Sequence, residues 1–372
     1  MLSSGYSIKA IIAVVIYIII LFIIYFQMKA RKNVANLSSK LPIIHIIIIS
    51  LCCTILNIYV SSGKAITGGD RGNYLQDFNG RQTGYLGFDA YLDLARFFTD
   101  DFYKVLYATT FICCVLMLIS CFISLDSGSA SSTAMVLFCT PFLLNTFINL
   151  KQCYACAFAS LMFAILSYPQ SIKRDLSCIA CLLLACSFHT TGYLLIPIYL
   201  ILRYSKKINF KIALALIIIV VAFLQPFSLF LSKQLSGILP TLSYKLNEYF
   251  MDGSQHESDG SSIVFLKGIP YYIAIIIGFC NRKNGKVNDE KYDVYLLILS
   301  IGTFSYMCSI VSYWLVRLIA ILYFPISIAT YKVITAEKNP KGKLIEYIVI
   351  VGGILFFTLR SLSLNIINYG GY

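Results

Sequence analysis

The chain has 372 residues, of which 58% are hydrophobic and 13% charged, with a mean hydropathy of +0.78. Soluble chains carry about 25% charged residues, so the composition excludes an ordinary soluble globular protein and indicates a polytopic membrane protein. The net charge of +13 does not indicate nucleic-acid binding, because the positives lie in short loops between apolar runs, where membrane orientation accounts for them.

A helical span needs about 20 apolar residues. The first run, 8–27, is too long for a signal-peptide core and is followed by Lys29, Arg31 and Lys32 rather than a small-residue cleavage site, so it reads as an uncleaved span. Further spans are expected at 42–61, 103–124, 131–148, 152–168, 176–189, 192–203, 210–231, 263–281, 294–311, 314–333 and 344–361. The fold class is therefore all-α, a polytopic helical bundle of about 12 spans. It is expected to form a single membrane domain over residues 1–372. The segment 176–203 is short for two spans and reads either as two crossings or as a re-entrant hairpin.

Two connecting loops are long, 62–102 and 232–262. The first contains GGDRGNYLQDF, residues 68–78, whose three glycines read as an open polar loop that folds back over the mouth of the second span. It continues into YLGFDAYLDLARFF, residues 85–98, where apolar positions recur at helical spacing while Asp89, Asp93 and Arg96 share a polar face. That stretch is expected to be a helix lying on the outer membrane surface. The second loop carries the polar run MDGSQHESDGSS.

Lys and Arg recur after alternate spans: Lys29, Arg31, Lys32 and Lys40; Lys173 and Arg174; Arg203, Lys206, Lys207 and Lys211; Arg282, Lys283, Lys286 and Lys291; Lys332, Lys338, Lys341 and Lys343. By the positive-inside rule this face is cytoplasmic, and both long loops face outward. The thirteen cysteines lie mostly inside apolar runs. The spacings Cys153–Cys156 and Cys178–Cys181 have no histidine partner at metal-finger spacing, so small buried packing thiols are the expected reading.

Several polar residues converge on the outward side. They are Asp70, Arg71 and Tyr74 after the second span, Lys151 and Gln152 at the start of the fifth, His189 in the polar break FHTTGY, and Arg317 one turn inside the eleventh. Ionisable groups at span ends are costly and point to function. Each also has a plainer role: Arg317 as a snorkelling anchor, Lys151 as an interface anchor, His189 as a packing histidine. Taken together, cations, an acid and an imidazole on one face suit an anionic lipid headgroup, because Arg and Lys bind phosphate by charge-assisted hydrogen bonds.

RGNYLQDF followed by GFDAYLDL resembles the outward motif of the EpsG-like family of exopolysaccharide proteins, in which D-x-x-x-Y precedes an acidic G-[FY] stretch. KQCYACAFASLMFAI resembles that family's R-Q-x-x-A helix start, LLLACSFHTTGYLLIPIYLI its A-x-x-F-H-x-[ST] element, and VRLIAILYFPI its R-x-x-x-Y-F element with two extra residues. The family is similar in build to Wzy-type O-antigen polymerases. Two departures stand out. Lys151 replaces the arginine before Gln152, keeping charge but losing the planar fork. The acid before Gly87 and Phe88 is absent, with Asp89 and Asp93 as candidate substitutes.

The resemblance implies a glycosyltransferase of the bacterial inner (plasma) membrane, multi-pass, with an outward-facing cavity and its site facing the periplasm. It would join undecaprenyl-diphosphate-linked oligosaccharide repeat units, as in O-antigen, lipopolysaccharide or exopolysaccharide biosynthesis. The lipid bilayer, a chain-length regulator and a flippase would be its partners. No nucleic acid and no cofactor is implied. Diphosphate is a good leaving group whose developing charge needs placed cations, so Arg317, Lys151 and Arg71 would hold it. His189 or Asp70 could serve as base toward the acceptor hydroxyl, and Tyr74, Tyr85 and Tyr91 could stack on sugar rings. A divalent ion on Asp70 and Asp77 is the alternative to a cationic site. The alternative function is a flippase or transporter of lipid-linked oligosaccharides, against which the lack of repeat symmetry counts. An acyl-modifying enzyme is a third reading, but this topology offers no route from the cytoplasm to His189.

Overall fold

The computed structural model describes residues 41–61, 70–124, 150–205, 209–238, 268–283, 290–308 and 314–335, with a few isolated positions besides. The spans expected at 8–27, 131–148 and 344–361, and most of the 232–262 loop, lie outside the described residues. Among the described residues the regular structure is helical: α1 (Leu41–Ser61), α2 (Asp70–Phe78), α3 (Leu86–Phe98), α4 (Phe102–Ser124), α5 (Leu150–Leu166), α6 (Ile172–Phe188), a 3₁₀ turn (Thr190–Leu194), α7 (Leu195–Tyr204), α8 (Phe210–Leu235), α9 (Ile269–Lys283), α10 (Glu290–Cys308) and α11 (Trp314–Thr335).

Helix α5 is the hub. It packs against α4, α6 and α11, and all but a few of its residues are buried. Small side chains at Ala155, Cys156, Ala157, Ala159 and Ser160 let its neighbours approach closely. Several buried hydroxyls of these apolar helices are satisfied locally. Thr109, Ser160, Ser300, Thr303 and Thr330 each donate to the carbonyl four residues earlier, at 2.7–2.9 Å. The cysteines of both CxxC spacings are buried thiols within α5 and α6, and Cys178 Sγ donates to Met162 O at 3.6 Å.

The helices run antiparallel in hairpins. Tyr154 packs on Phe188 while Cys178 reaches Met162, which fixes α5 against α6. Tyr271 stacks on Tyr306 while Arg282 grips Asp293, which fixes α9 against α10. At 1.5 Å per residue, α6 is about 25 Å long and α7 about 15 Å. The 176–203 segment is thus a long arm, a sharp turn at His189 and a short arm.

Phe102–Ser124 is long and apolar enough to cross a membrane, and shorter apolar stretches occur at 46–55, 150–166, 210–223, 292–308 and 321–333. Outward-facing stripes are apolar as well: Ile172, Leu176, Ile179 and Leu183 on α6, and Ile212, Leu216, Ile219 and Phe223 on α8, are all exposed. Inward, the same helices bury Cys178, Cys181 and Ala185, and Ala213, Ile217 and Val221.

Stretch 68–78 differs from its glycine-based reading: Asp70–Phe78 is a helix rather than an open loop. The reason lies in its spacing. Tyr74, Asp77 and Phe78 fall on one face, and that face is buried.

A candidate site at the capped end of the bundle

Helices α2 and α3 form a cap over one end of the bundle. Arg96 ties them together by donating from Nη1 to the carbonyls of Asp77 (3.2 Å) and Phe78 (2.9 Å), satisfying acceptors that the end of α2 leaves open. Ahead of α3, the Asp89 carboxylate accepts from Thr83 N (3.0 Å), Thr83 Oγ1 (2.7 Å) and Gly84 N (3.1 Å). This folds the preceding turn onto the first turn of α3, where a negative charge is favourable. The cap then docks on the bundle. Phe88 is fully buried, which contributes about 2–3 kcal/mol. Tyr91 Oη donates to Val105 O at 3.1 Å and its ring packs on Tyr154. Gly87 allows the closest approach: a Cβ there would lie 2.2 Å from Ser187 Oγ at the end of α6.

Lys151, in the first turn of α5, meets this cap. Its Nζ lies 5.3, 5.2 and 5.1 Å from the ring centroids of Tyr74, Tyr85 and Phe88. It also lies 3.1 Å from Asp77 Oδ2, as an ion pair rather than an aligned hydrogen bond. The Asp77 side chain is fully buried, and its Oδ1 accepts from Arg81 Nε at 2.6 Å. A carboxylate buried this deeply requires such partners. Two cations therefore share one acid, leaving one unit of positive charge beside three aromatic faces. Gln152 is buried next to Lys151.

His189 stands against the same cluster. It ends α6 and caps the 3₁₀ turn, its Nδ1 accepting from Thr191 N at 3.2 Å with Thr191 Oγ1 at 2.8 Å. Gly192 makes the turn possible, because a Cβ there would lie 2.6 Å from the backbone of Ala185 and Cys186. Tyr85 joins the two halves of the site. Its ring lies near Lys151 Nζ and parallel to the His189 ring (5.8 Å, 3°), and its hydroxyl is 2.8 Å from Thr190 Oγ1.

The structure thus brings together Lys151, Gln152, His189, Tyr74 and Tyr85. Asp70 and Arg71 enter by backbone position, at the start of α2. Arg317 likewise lies in the first turn of α11, which packs on α5 and on the 190–194 turn. Tyr91 serves the docking of α3. The carboxylate beside Lys151 is neither Asp89, which folds its own turn, nor Asp93, which pairs with Arg96. It is Asp77, which the sequence alone offers only as a metal ligand, and Arg81 is its second, unforeseen partner. Their i,i+4 spacing on a helix with Tyr74 and Phe78 was the available signal.

The other end of the bundle is held by different pairs. The Asp175 carboxylate accepts from Arg174 (2.7 Å) and Arg203 (2.7 Å), locking α7 to α6, and Arg282 holds Asp293 at 2.7 and 2.9 Å while packing over Phe210.

The family model of the EpsG family matches residues 58–370, more than four-fifths of the chain. No curated protein and no solved structure matches it.

Proposed function

Because this chain belongs to the EpsG family, a membrane family of exopolysaccharide and polymerase type, we propose that it is a polysaccharide polymerase. It joins undecaprenyl-diphosphate-linked oligosaccharide repeat units at the periplasmic face of the bacterial inner membrane. The exposed apolar stripes of α6 and α8 face lipid, and α3, with Leu86, Leu94, Phe97 and Phe98 exposed, lies at the outer membrane surface. One observation carries the reading: within the family match, the Lys151–Asp77–Arg81 cluster and His189 meet through Tyr85 at one end of the bundle.

Each group has a task in this reaction. The growing chain leaves its lipid diphosphate and joins a hydroxyl of the next unit. Charge develops on the departing diphosphate, and cations fixed beforehand at a low-dielectric site stabilise it without reorganising. Arg317 and Arg71 are the cations assigned to it. Lys151 contributes from within its aromatic pocket, where it shares Asp77 with Arg81, so it shapes the field more than it grips a phosphate. Asp70, at the start of α2, is the acid assigned to the acceptor hydroxyl.

The test is a purified reaction. Protein in nanodiscs, given undecaprenyl-diphosphate-linked repeat units, should release undecaprenyl diphosphate and form chains of several units, with EDTA present. Movement of intact units across a vesicle membrane without new glycosidic bonds would support transport instead.

A further inference from the structure

We propose that the Arg174–Asp175–Arg203 cluster, at the end of the bundle away from the cap, binds the phosphate of an anionic phospholipid. The proposal rests on the membrane reading of the fold and not on the polymerase reaction. Two guanidinium groups share one carboxylate here. Asp175 Oδ1 accepts from Arg174 Nε (3.0 Å) and Nη2 (2.7 Å), and Oδ2 from Arg203 Nε (3.0 Å) and Nη2 (2.7 Å). The cluster therefore keeps one unit of positive charge. Arg174 is buried, and its Nη1 donates to Tyr168 O at 3.1 Å. Arg203 is 27% exposed, so the surplus charge is open to a ligand on its side. A guanidinium carries five N–H groups. Arg203 spends one at Nε, one at Nη2, and one at Nη1 toward Tyr204 Oη, 3.3 Å away. One N–H on each terminal nitrogen is left without an acceptor among the described residues. Phosphate oxygens fit such a fork.

The neighbouring surface selects a lipid as the source of that phosphate. Ile196, Leu200 and Tyr204 recur at i, i+4 and i+8 along α7, and all three are exposed. The stripe ends at the cation: the Tyr204 hydroxyl accepts from Arg203 Nη1, and its ring centroid lies 5.2 Å from the Arg203 guanidinium carbon. On α6, Ile172 and Leu176 flank Arg174 and Asp175 in the chain and are exposed as well. An acyl chain laid along α7 brings its headgroup to Arg203, whereas a free phosphate ion gains nothing from the stripe. One group inside the cluster also lacks an acceptor. Tyr199 lies one turn before Arg203 on α7 and is 3% exposed. Its hydroxyl has no hydrogen-bond partner and lies in the field of Asp175 and Arg203. The non-bridging oxygens of a phosphodiester supply acceptors to Arg203 and Tyr199 alike. The basic residues assign this end to the cytoplasmic leaflet, whose anionic headgroups attract such charge.

The test titrates the full-length protein in detergent micelles with phosphatidylglycerol or phosphatidylcholine and reads bound lipid by native mass spectrometry. Wild type should take up one phosphatidylglycerol on the order of tenfold more tightly than phosphatidylcholine. Arg203→Gln leaves Arg174 and Asp175 as a balanced pair, so its buried charges stay matched. That variant should bind the two lipids within about twofold of each other. Arg203→Lys keeps the charge but loses the fork and should fall between them. Equal affinity of wild type for the two lipids, or an undiminished preference in Arg203→Gln, would overturn the proposal. A second arm needs no variant. Phosphatidylglycerol with a photoreactive acyl chain should label the peptide spanning residues 196–204 of wild type, and labelling confined to other segments would overturn the proposal. Millimolar inorganic phosphate should leave the lipid in place. Its displacement by phosphate would make this a site for the free ion and contradict the lipid assignment.

Discussion

Lys151 on α5 and Asp77 on α2 are 74 positions apart in the chain, and their charges lie 3.1 Å apart beneath the cap, with the Asp77 side chain fully buried. The pair is the electrostatic tie between cap and bundle. It places the one lysine of this cluster among Tyr74, Tyr85 and Phe88.

Removing one partner of this tie leaves the other charged and buried. Asp77→Asn and Lys151→Met should each destabilise the folded protein by about 3 kcal/mol, while the double variant should lose much less than their sum. Arg81 is about half exposed, so Arg81→Ala should cost about 1 kcal/mol or less. Thermal unfolding in detergent micelles, read as a double-mutant cycle, checks this. Additive losses would mean that Lys151 and Asp77 do not interact.

The two close-approach glycines should behave differently. A Cβ at Gly192 meets backbone, which cannot give way, so Gly192→Ala should abolish the His189 turn and the folded yield with it. A Cβ at Gly87 meets chiefly the end of the Ser187 side chain. Gly87→Ala should cost about 1–3 kcal/mol, and Ser187→Gly in the same chain should recover most of that. Failure of Ser187→Gly to rescue would place the crowding elsewhere.

At the opposite end, Asp175 is held by two guanidinium groups and is only 12% exposed, whereas Asp293 has one and is 35% exposed. Asp175→Asn should lower stability by about 2–3 kcal/mol and Asp293→Asn by about 1 kcal/mol. Neither should alter the activity of the protein that remains folded. Unfolding scans combined with activity per folded molecule check this, and a specific activity loss would tie that end to the reaction.

Much of this arrangement was legible in the sequence where burial alone decides. The apolar runs at 103–124, 210–231 and 314–333 reappear as α4, α8 and α11 with boundaries shifted by a few residues, because length and apolarity are local properties. The break at FHTTGY was also visible, since a polar run inside apolar sequence must turn. Two features were not. Helix α6 starts at Ile172, ahead of Lys173, Arg174 and Asp175, which resemble loop residues. In the structure they form a first turn capped by Ser171 and paired with Arg203. Helix α2 was hidden by Gly68, Gly69 and Gly72, although Tyr74 and Phe78 carried the helical spacing. The partner of Lys151 was not legible at all, because nothing local links position 77 to position 151.

The functional reading makes a sharp demand on Arg317, at the start of the helix that packs on α5 and on the His189 turn. Arg317→Ala should reduce polymer formation on the order of 10²–10³-fold, with protein abundance unchanged by immunoblot. Wild-type chain length in that strain would remove Arg317 from the site.

The polymerase account is tested most directly by a gel of surface polysaccharide from cells lacking this gene, with and without the gene restored. The account predicts a ladder that collapses to a single repeat unit and returns on restoration, since units would still be exported and attached but not joined. Loss of even the single unit would contradict it and move the protein to export or to an earlier step.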